Sequence, residues 1–227
     1  LLMTPTALGM TCGIGSMLLG ARYSGFDVVG NIEWRKYYDT GTFELNFPGA
    51  TYWKGFDMMA KSEVRNLEGV DLMVGHTECG NFSNLSCTSR ARIGEKGMAD
   101  MRTNAGDIPE FINAVSLIKP KYFFMDNLPG SLDALSLSTW RDTLTDYKIH
   151  VHMISNYRYG NIQKYRNRLF YVGQRRDLPF KFKCGEFDHQ TTTYDVIGDL
   201  GEEPIRELNH IPLKDHEYLV DGQIYTI

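Results

Sequence analysis

Short apolar runs alternate along the chain with stretches of helical period, and polar or glycine-containing segments separate them. Residues 6–11 read as a first strand, followed by Gly13-Ile14-Gly15-Ser16 and a helical pattern through Met17, Leu18, Leu19 and Tyr23. Residues 26–32 predict a second strand ending at Glu33-Trp34, then a helix over 35–45 broken by Pro48 and Gly49. Residues 51–53 and 70–74 predict two more strands, the first followed by Gly55-Phe56-Asp57. A long polar segment covers 80–103, after which Asp107-Ile108-Pro109 opens a helix to Ile118, with proline just inside its start. Residues 122–125 form the next expected strand, and a helix is expected over 138–146. Residues 149–154 and 169–173 have no helix between them, so they predict an antiparallel hairpin at a sheet edge. The alternation implies an α/β, Rossmann-like doubly wound sheet, mostly parallel. Residues 1–177 are expected to form the main domain. Residues 178–227, richer in acidic and turn residues, are expected to be a C-terminal extension.

Candidate chemistry sits just past the expected strand ends, where open α/β sheets carry their sites. The segment Val74-Gly75-His76-Thr77-Glu78-Cys79-Gly80-Asn81-Phe82-Ser83 puts a cysteine in that place. A small buried hydrophobe is the alternative reading of a single cysteine. Gly13-Ile14-Gly15 lies between a strand and a helix, where glycines admit a ligand to the backbone, although a plain turn explains them equally well. Glu33, about twenty residues on, can hold both hydroxyls of a ribose. Asp57 can accept from an adenine amino group, and Trp34 can stack on the base; helix capping is the alternative role for either acid. Leu18 interrupts the fuller Gly-x-Gly-x-x-Gly pattern, and no phosphate-binding Gly-Lys-Ser/Thr is present. Together these favour an adenosine cofactor without a diphosphate.

Composition narrows the setting. The 227 residues are 42% hydrophobic and 23% charged, which suits a globular chain with one sizeable core. No apolar run of about 18 residues is present, so no membrane span is expected. No secretory leader is evident after Leu1, and the four cysteines lack pairing or zinc spacing. Free thiols in a reducing cytoplasm are expected. A formal net charge of −4 argues against a dedicated nucleic-acid binder. The charge is local, however: Arg90, Arg92, Lys96 and Arg102 follow Cys79, and Arg158, Lys164, Arg166, Arg168, Arg175 and Arg176 cluster later. They are either solvated surface charge or two basic patches flanking one site. His150 and His152 alternate on one strand face without a third ligand, so no metal site is expected.

In order and spacing these segments resemble the cytosine-C5 DNA methyltransferase family. Thr11-Cys12-Gly13-Ile14-Gly15 stands where that family has Phe-x-Gly-x-Gly. Glu33-Trp34 resembles its ribose-binding acid and neighbouring aromatic, Asn46-Phe47-Pro48 its Asn-Phe-Pro, and Asp57 its adenine-binding acid. Thr77-Glu78-Cys79-Gly80-Asn81-Phe82-Ser83 takes the place of Pro-Pro-Cys-Gln-x-Phe-Ser. Asp126-Asn127-Leu128 takes that of Glu-Asn-Val, and Arg166-Asn167-Arg168 that of Arg-x-Arg. The likeness runs from about Ala7 to Gly173.

The resemblance implies a class I methyltransferase fold, S-adenosylmethionine as methyl donor, S-adenosylhomocysteine as product and cytosine in DNA as substrate. It implies that a Cys79 thiolate adds to C6 of the base, that C5 attacks the donor methyl, and that loss of the C5 proton expels the cysteine. Asp126 would meet the N3 and N4 edge, and Arg166 and Arg168 would hold O2 and orient the carboxylate. Thr11, Cys12, Gly13, Ile14, Gly15, Glu33, Trp34, Asp57 and Met58 would line the donor site. Phe82, Ser83, Arg90, Arg92, Asn127 and Gln163 would meet the substrate, with the 80–103 loop closing over a flipped base. An RNA or modified-base substrate and a non-catalytic regulatory module are rival readings, with a generic Rossmann oxidoreductase behind them.

The chain departs from the family pattern in four places. Thr11 replaces an aromatic residue. Thr77-Glu78 replaces two prolines, so the loop is expected to lose rigidity, and the Glu78 anion would disfavour a thiolate unless it points away or pairs with an arginine. No late Arg-x-Leu-Thr-x-x-Glu or Gly-Asn-x-Val-Pro segment is found. The target recognition region is therefore expected elsewhere, through truncation, a second chain or compact divergence. Finally, Asp126 is one methylene shorter than the usual Glu, which leaves room for an altered base or a bulkier transferred group. Asp126→Glu is therefore expected to change base or donor preference. Competition between unmodified and C5-substituted cytosine substrates measures this, and unchanged selectivity would remove the idea.

Overall fold

Each apolar run read as a strand between residues 6 and 173 lies in a sheet strand. The computed structural model describes residues 3–33, 40–57, 59–82, 106–155, 166–179, 217–220 and 223–226. Its strands are β1 (Thr6–Met10), β2 (Asp27–Glu33), β3 (Thr51–Lys54), β4 (Leu72–His76), β5 (Tyr122–Asn127), β6 (Tyr147–Ser155) and β7 (Asn167–Arg175). Its helices are α1 (Ser16–Tyr23), α2 (Thr40–Asn46), α3 (Lys61–Asn66), α4 (Ile108–Ile118), α5 (Ser131–Ala134) and α6 (Leu137–Thr143). The sheet order is β3-β2-β1-β4-β5-β7-β6. Its first five strands are parallel, whereas β7 runs antiparallel to both β5 and β6. The expected doubly wound sheet and edge hairpin are both present, with the hairpin's second strand inserted beside β5.

The two faces of the sheet are covered unequally. On one, α4 lays Phe111, Ile112, Val115 and Ile118 against Met73, Phe123 and Met125, and α6 adds Trp140. Trp140 stacks on Tyr171 at 4.6 Å between ring centroids and lies near-parallel to Phe123 at 6.0 Å. The other face carries α1 and α2, whose Leu18, Ala21 and Phe43, with Phe47 just past α2, pack over Ala7 and Val74. Beyond α1 a cleft of about 530 Å³ remains, walled by Met17, Leu72, Phe124 and Phe170 and reaching Asp126, Arg166 and Arg168 at one end.

Two differences from the expected elements have clear causes. Helix α3 buries no side chain, so no apolar stripe announces it. Strand β4 runs over 72–76 and not 70–74: the Val70 and Asp71 carbonyls accept from Lys121 and Tyr122 at the strand's entry, and pairing continues through Gly75 and His76. The absence of a side chain at Gly75, which has Phe111 directly over it, permits that continuation. In the 178–227 stretch, β8 (Glu217–Val220) and β9 (Gln223–Thr226) form an antiparallel pair that the weak pattern there does not predict. Among the described residues no helix is long and apolar enough to cross a membrane.

Gly173 of β7 lies under the Phe123 ring, where an added Cβ would collide with the ring carbons. Gly173→Ala is expected to destabilise the fold by about 1–3 kcal/mol through overpacking. The urea midpoint checks this, and an unchanged midpoint would show that the ring yields freely.

Candidate active site

The turn after β1 is shaped by its backbone. Thr11, Gly13 and Gly15 all have positive φ, at 54°, 57° and 96°. At Gly15, the N-cap of α1, a Cβ would also strike the Phe47 ring, so only glycine serves there. A Cβ on Gly13 would meet nothing within 4 Å, which leaves that turn open for close approach by a ligand. The Gly13 N–H donates to Glu33 Oε2 at 2.9 Å, and the Asn31 amide approaches the same oxygen at 3.4 Å. Glu33 is only 3% exposed at the end of β2, so the acid and the glycine turn form one preassembled unit. Ile14 is half exposed, and its carbonyl accepts from Asn46 Nδ2 at 3.0 Å. Asp57 is exposed past the end of β3.

Cys12 is a packing residue by its surroundings. Its sulfur donates to the carbonyls of Met10 and Val74 at 3.6 and 3.5 Å. Burial of that sulfur pushes the thiol pKa far up, and the Glu33 and Asp126 carboxylates add to the rise. Both carboxylates acting on one thiol shows that the glycine turn and the end of β5 are neighbours.

At the ends of β4 and β5, His76 and Asp126 are registered partners. The His76 Nδ1 atom lies 2.6 Å from Asp126 Oδ1. Arg168, only 11% exposed, approaches the other Asp126 oxygen at 3.7 Å. Cys79 sits beside this group, partly buried. The His76 imidazole, and after it the Arg168 guanidinium, hold the Cys79 thiol below its ordinary pKa against the opposing effect of burial. His76 is raised to about 9, first by Asp126 and then by Cys79, with burial working the other way. The structure thus brings Cys79, Asp126 and Arg168 together, and exposed Arg166 lines the same cleft.

Several expectations are corrected. The loop that replaces two prolines is not loose. Thr77 is fully buried, and Asn127 Nδ2 donates to its Oγ1 at 2.7 Å and its carbonyl at 3.4 Å. The Glu78 N–H donates to Asp107 at the start of α4 at 3.2 Å. Glu78 is exposed, and the leading influences on Cys79 are His76, burial and Arg168. Asn127 and Phe82, both expected at the substrate, have inward roles: Asn127 is wholly buried around Thr77 and the Leu128 N–H, and Phe82 belongs to the larger core under Gly130. The space left by the short Asp126 side chain is met by His76. Trp34, Met58, Ser83, Arg90, Arg92 and Gln163 lie outside the described residues. His150 and His152 stack at 6.3 Å, and no group of three metal-ligating side chains occurs among the described residues.

Sequence reasoning leaves His76 open between a role at the site and a plain loop histidine, and it misses the Asn127 clamp on Thr77 and the Asp107 tether. A histidine three residues before the cysteine is the available signal for the site role. Asn127→Ala is expected to cost about 1–3 kcal/mol by stranding buried Thr77 groups. Denaturant unfolding measures the loss, and no change would remove the clamp.

The chain matches the family model for C-5 cytosine-specific DNA methylase over residues 6–225. It is 26% identical over 208 residues to the Type II methyltransferase M.XorII of Xanthomonas oryzae pv. oryzae, covering 86% of this chain and 46% of that protein. It is 25% identical to the Type II methyltransferase M.FnuDI of Fusobacterium nucleatum, covering 97% of this chain and 64% of that one. It thus spans about half to two thirds of the length of these relatives. Among solved structures, Spodoptera frugiperda DNMT2 superposes with a TM-score of 0.57 at 17% identity, over 83% of this chain and 54% of that one. The Entamoeba histolytica methyltransferase EhMeth gives a TM-score of 0.57 at 15% identity, over 84% and 58%. These likenesses establish the shared class I methyltransferase fold. With a family model matched over nearly its whole length, the chain belongs to the C-5 cytosine-specific DNA methylase family.

Proposed function

We propose that this chain carries the catalytic centre of a DNA cytosine-C5 methyltransferase that uses S-adenosylmethionine. The observation that carries this reading is the convergence of Cys79, His76, Asp126 and Arg168 at the carboxyl ends of β4 and β5, an arrangement that lowers the Cys79 thiol pKa. A thiolate is the nucleophile that addition to a pyrimidine C6 requires. The thiolate bonds to C6, and the displaced π electrons make C5 nucleophilic. S-adenosylmethionine, held by the Gly13 turn, Glu33 and Asp57, would supply the methyl group to C5. Loss of the C5 proton to water then returns the C6–S pair to Cys79.

The chain's groups suit that sequence. Asp126 faces the base edge where charge develops, and Arg168 orients its carboxylate. Arg166, exposed on the same cleft, is available to the base carbonyl or a phosphate. On the donor side, the open Gly13 turn fits close approach by an adenosine group, and buried Glu33 fits its ribose hydroxyls. Asp57 is assigned to the adenine amino group. A base in duplex DNA must leave the stack to reach Cys79, since the sulfur is partly buried. A nucleophilic thiol needs a reducing compartment, and the cytoplasm is the one we assign to the enzyme. Sequence reading belongs to a target recognition region, on the same polypeptide or on a second chain.

Labelled S-adenosylmethionine and cytosine DNA test the proposal directly. Wild type is expected to transfer label, and Cys79→Ala to fall to background. DNA bearing 5-fluorocytosine is expected to trap a covalent complex with wild type only, because fluorine cannot leave as the C5 proton does. Equal transfer by both proteins would reject the nucleophile. Donor binding without transfer, with any second chain supplied, would favour a regulatory module.

A further inference from the structure

From the geometry at the ends of β4 and β5, we infer that His76 is a positioning residue: an imidazolium lodged between Asp126 and Cys79 that takes the thiol proton and maintains the sulfur as a thiolate. This rests on the reading of Cys79 as nucleophile.

Charge balance at the site demands such a group. A Cys79 thiolate and the Asp126 carboxylate are two anions in one partly buried place. Arg168 supplies one cation near them, at 3.7 Å from Asp126. Two like charges in one partly buried place repel each other, so a second cation decides whether the thiolate persists. His76 is the side chain placed to supply it, because Asp126 holds its Nδ1 at 2.6 Å. That contact leaves Nε2 for the sulfur. The side chains facing His76 are Asp126 from β5 and Cys79 from the loop after β4; Arg168 from β7 faces those two, and the Cys12 thiol past β1 is hydrogen-bonded at the His76 backbone. Cys12 remains a neutral thiol, so the balance is set by the other three.

The proton transfer is simple. The Cys79 S–H bond breaks, an N–H bond forms at Nε2, and the electron pair stays on sulfur. His76 then remains protonated while the C6–S bond forms and later breaks, so no further acid or base is consumed at this step. Asp126 matters doubly, since it meets the base and also orients the imidazole. The shorter acid suits this double role because its register partner is a histidine from the adjacent strand.

The raised His76 pKa, about 9, and the lowered Cys79 pKa point the same way. A raised imidazole retains its proton until pH climbs through about 9, and a lowered thiol loses its proton before the ordinary range. The charged pair therefore occupies the window between the two apparent values, which belong to the pair jointly. Activity is expected to fall as pH drops through the lower value and the thiol regains its proton.

Alkylation by iodoacetamide, read at the Cys79 peptide by mass spectrometry over a pH series from acid to strongly alkaline, tests the inference without methyl transfer. In wild type the rate should rise with an apparent pKa below that of a free thiol. In His76→Asn the rise should move alkaline. Reactivity at neutral pH should drop about tenfold for every pH unit by which the midpoint moves, and the two proteins should converge above about pH 10. Transfer by His76→Asn should fall in parallel, with its optimum displaced to higher pH and donor KM little changed. An unshifted alkylation profile, even with reduced transfer, would overturn the inference while leaving Cys79 as nucleophile intact. Retained transfer by Cys79→Ala would instead overturn the underlying reading. Should the Asn variant fail to fold, NMR titration of His76 decides. A midpoint near 9 in wild type that drops in Cys79→Ser supports the pair, and a midpoint near 6.5 in both refutes it.

Discussion

The parallel register between β4 and β5 is the constraint on which the site depends. It sets Leu72 opposite Tyr122 at one end and His76 opposite Asp126 at the other. Side chains alternate between faces, so a slip of one residue would send His76 to the opposite face and strand the Asp126 carboxylate. The register is held by core packing on the far face, where Met73, Phe123 and Met125 fit beneath Phe111 and Trp140. The geometry of the candidate site at the carboxyl ends is therefore a consequence of close packing some residues away.

Two cysteines past neighbouring strand ends show how strongly placement governs a thiol. Cys12 follows β1, and Cys79 follows β4, its sheet neighbour. Both feel burial. For Cys12, backbone carbonyls accept from the thiol and the nearby charges are Glu33 and Asp126, so the proton is retained. For Cys79 the nearest groups are His76 and Arg168, and the balance reverses. The same residue type thus becomes packing in one place and a nucleophile candidate in the other, through the sign of two or three neighbouring charges.

Much of this is legible in the sequence because strand ends advertise themselves. Glu33, Cys79 and Asp126 each follow an apolar run, and the glycine turn follows another. Their convergence is what a doubly wound sheet does to such positions. What escapes is determined by pairing between distant segments. His76 stays undecided between a site residue and a loop residue because the apolar run begins at Val70, yet the strand starts and ends two residues later. Asn127 reads as a substrate contact because of the residues beside it, and its burial around Thr77 depends on a contact fifty positions away. Helix α3 has no buried face and so leaves no periodic trace. The region between 83 and 105 lies outside the described residues, and the expectations for Arg90 and Arg92 stand there as proposals.

The loop carrying Cys79 shows how rigidity can be redistributed. Prolines stiffen a loop chiefly by narrowing the unfolded ensemble, and they do so at any pH. Here the stiffness comes from buried hydrogen bonds: Asn127 to Thr77 on one side, and Asp107 to the Glu78 N–H on the other. Such bonds contribute about 1 kcal/mol each when made, and strand costly groups when broken. They also tie the loop to β5 and to α4 specifically, the two elements that border the site. A proline pair fixes the local backbone angle alone. Hydrogen bonds across elements fix where the sulfur stands relative to Asp126, which is the distance that a thiolate paired through His76 must conserve.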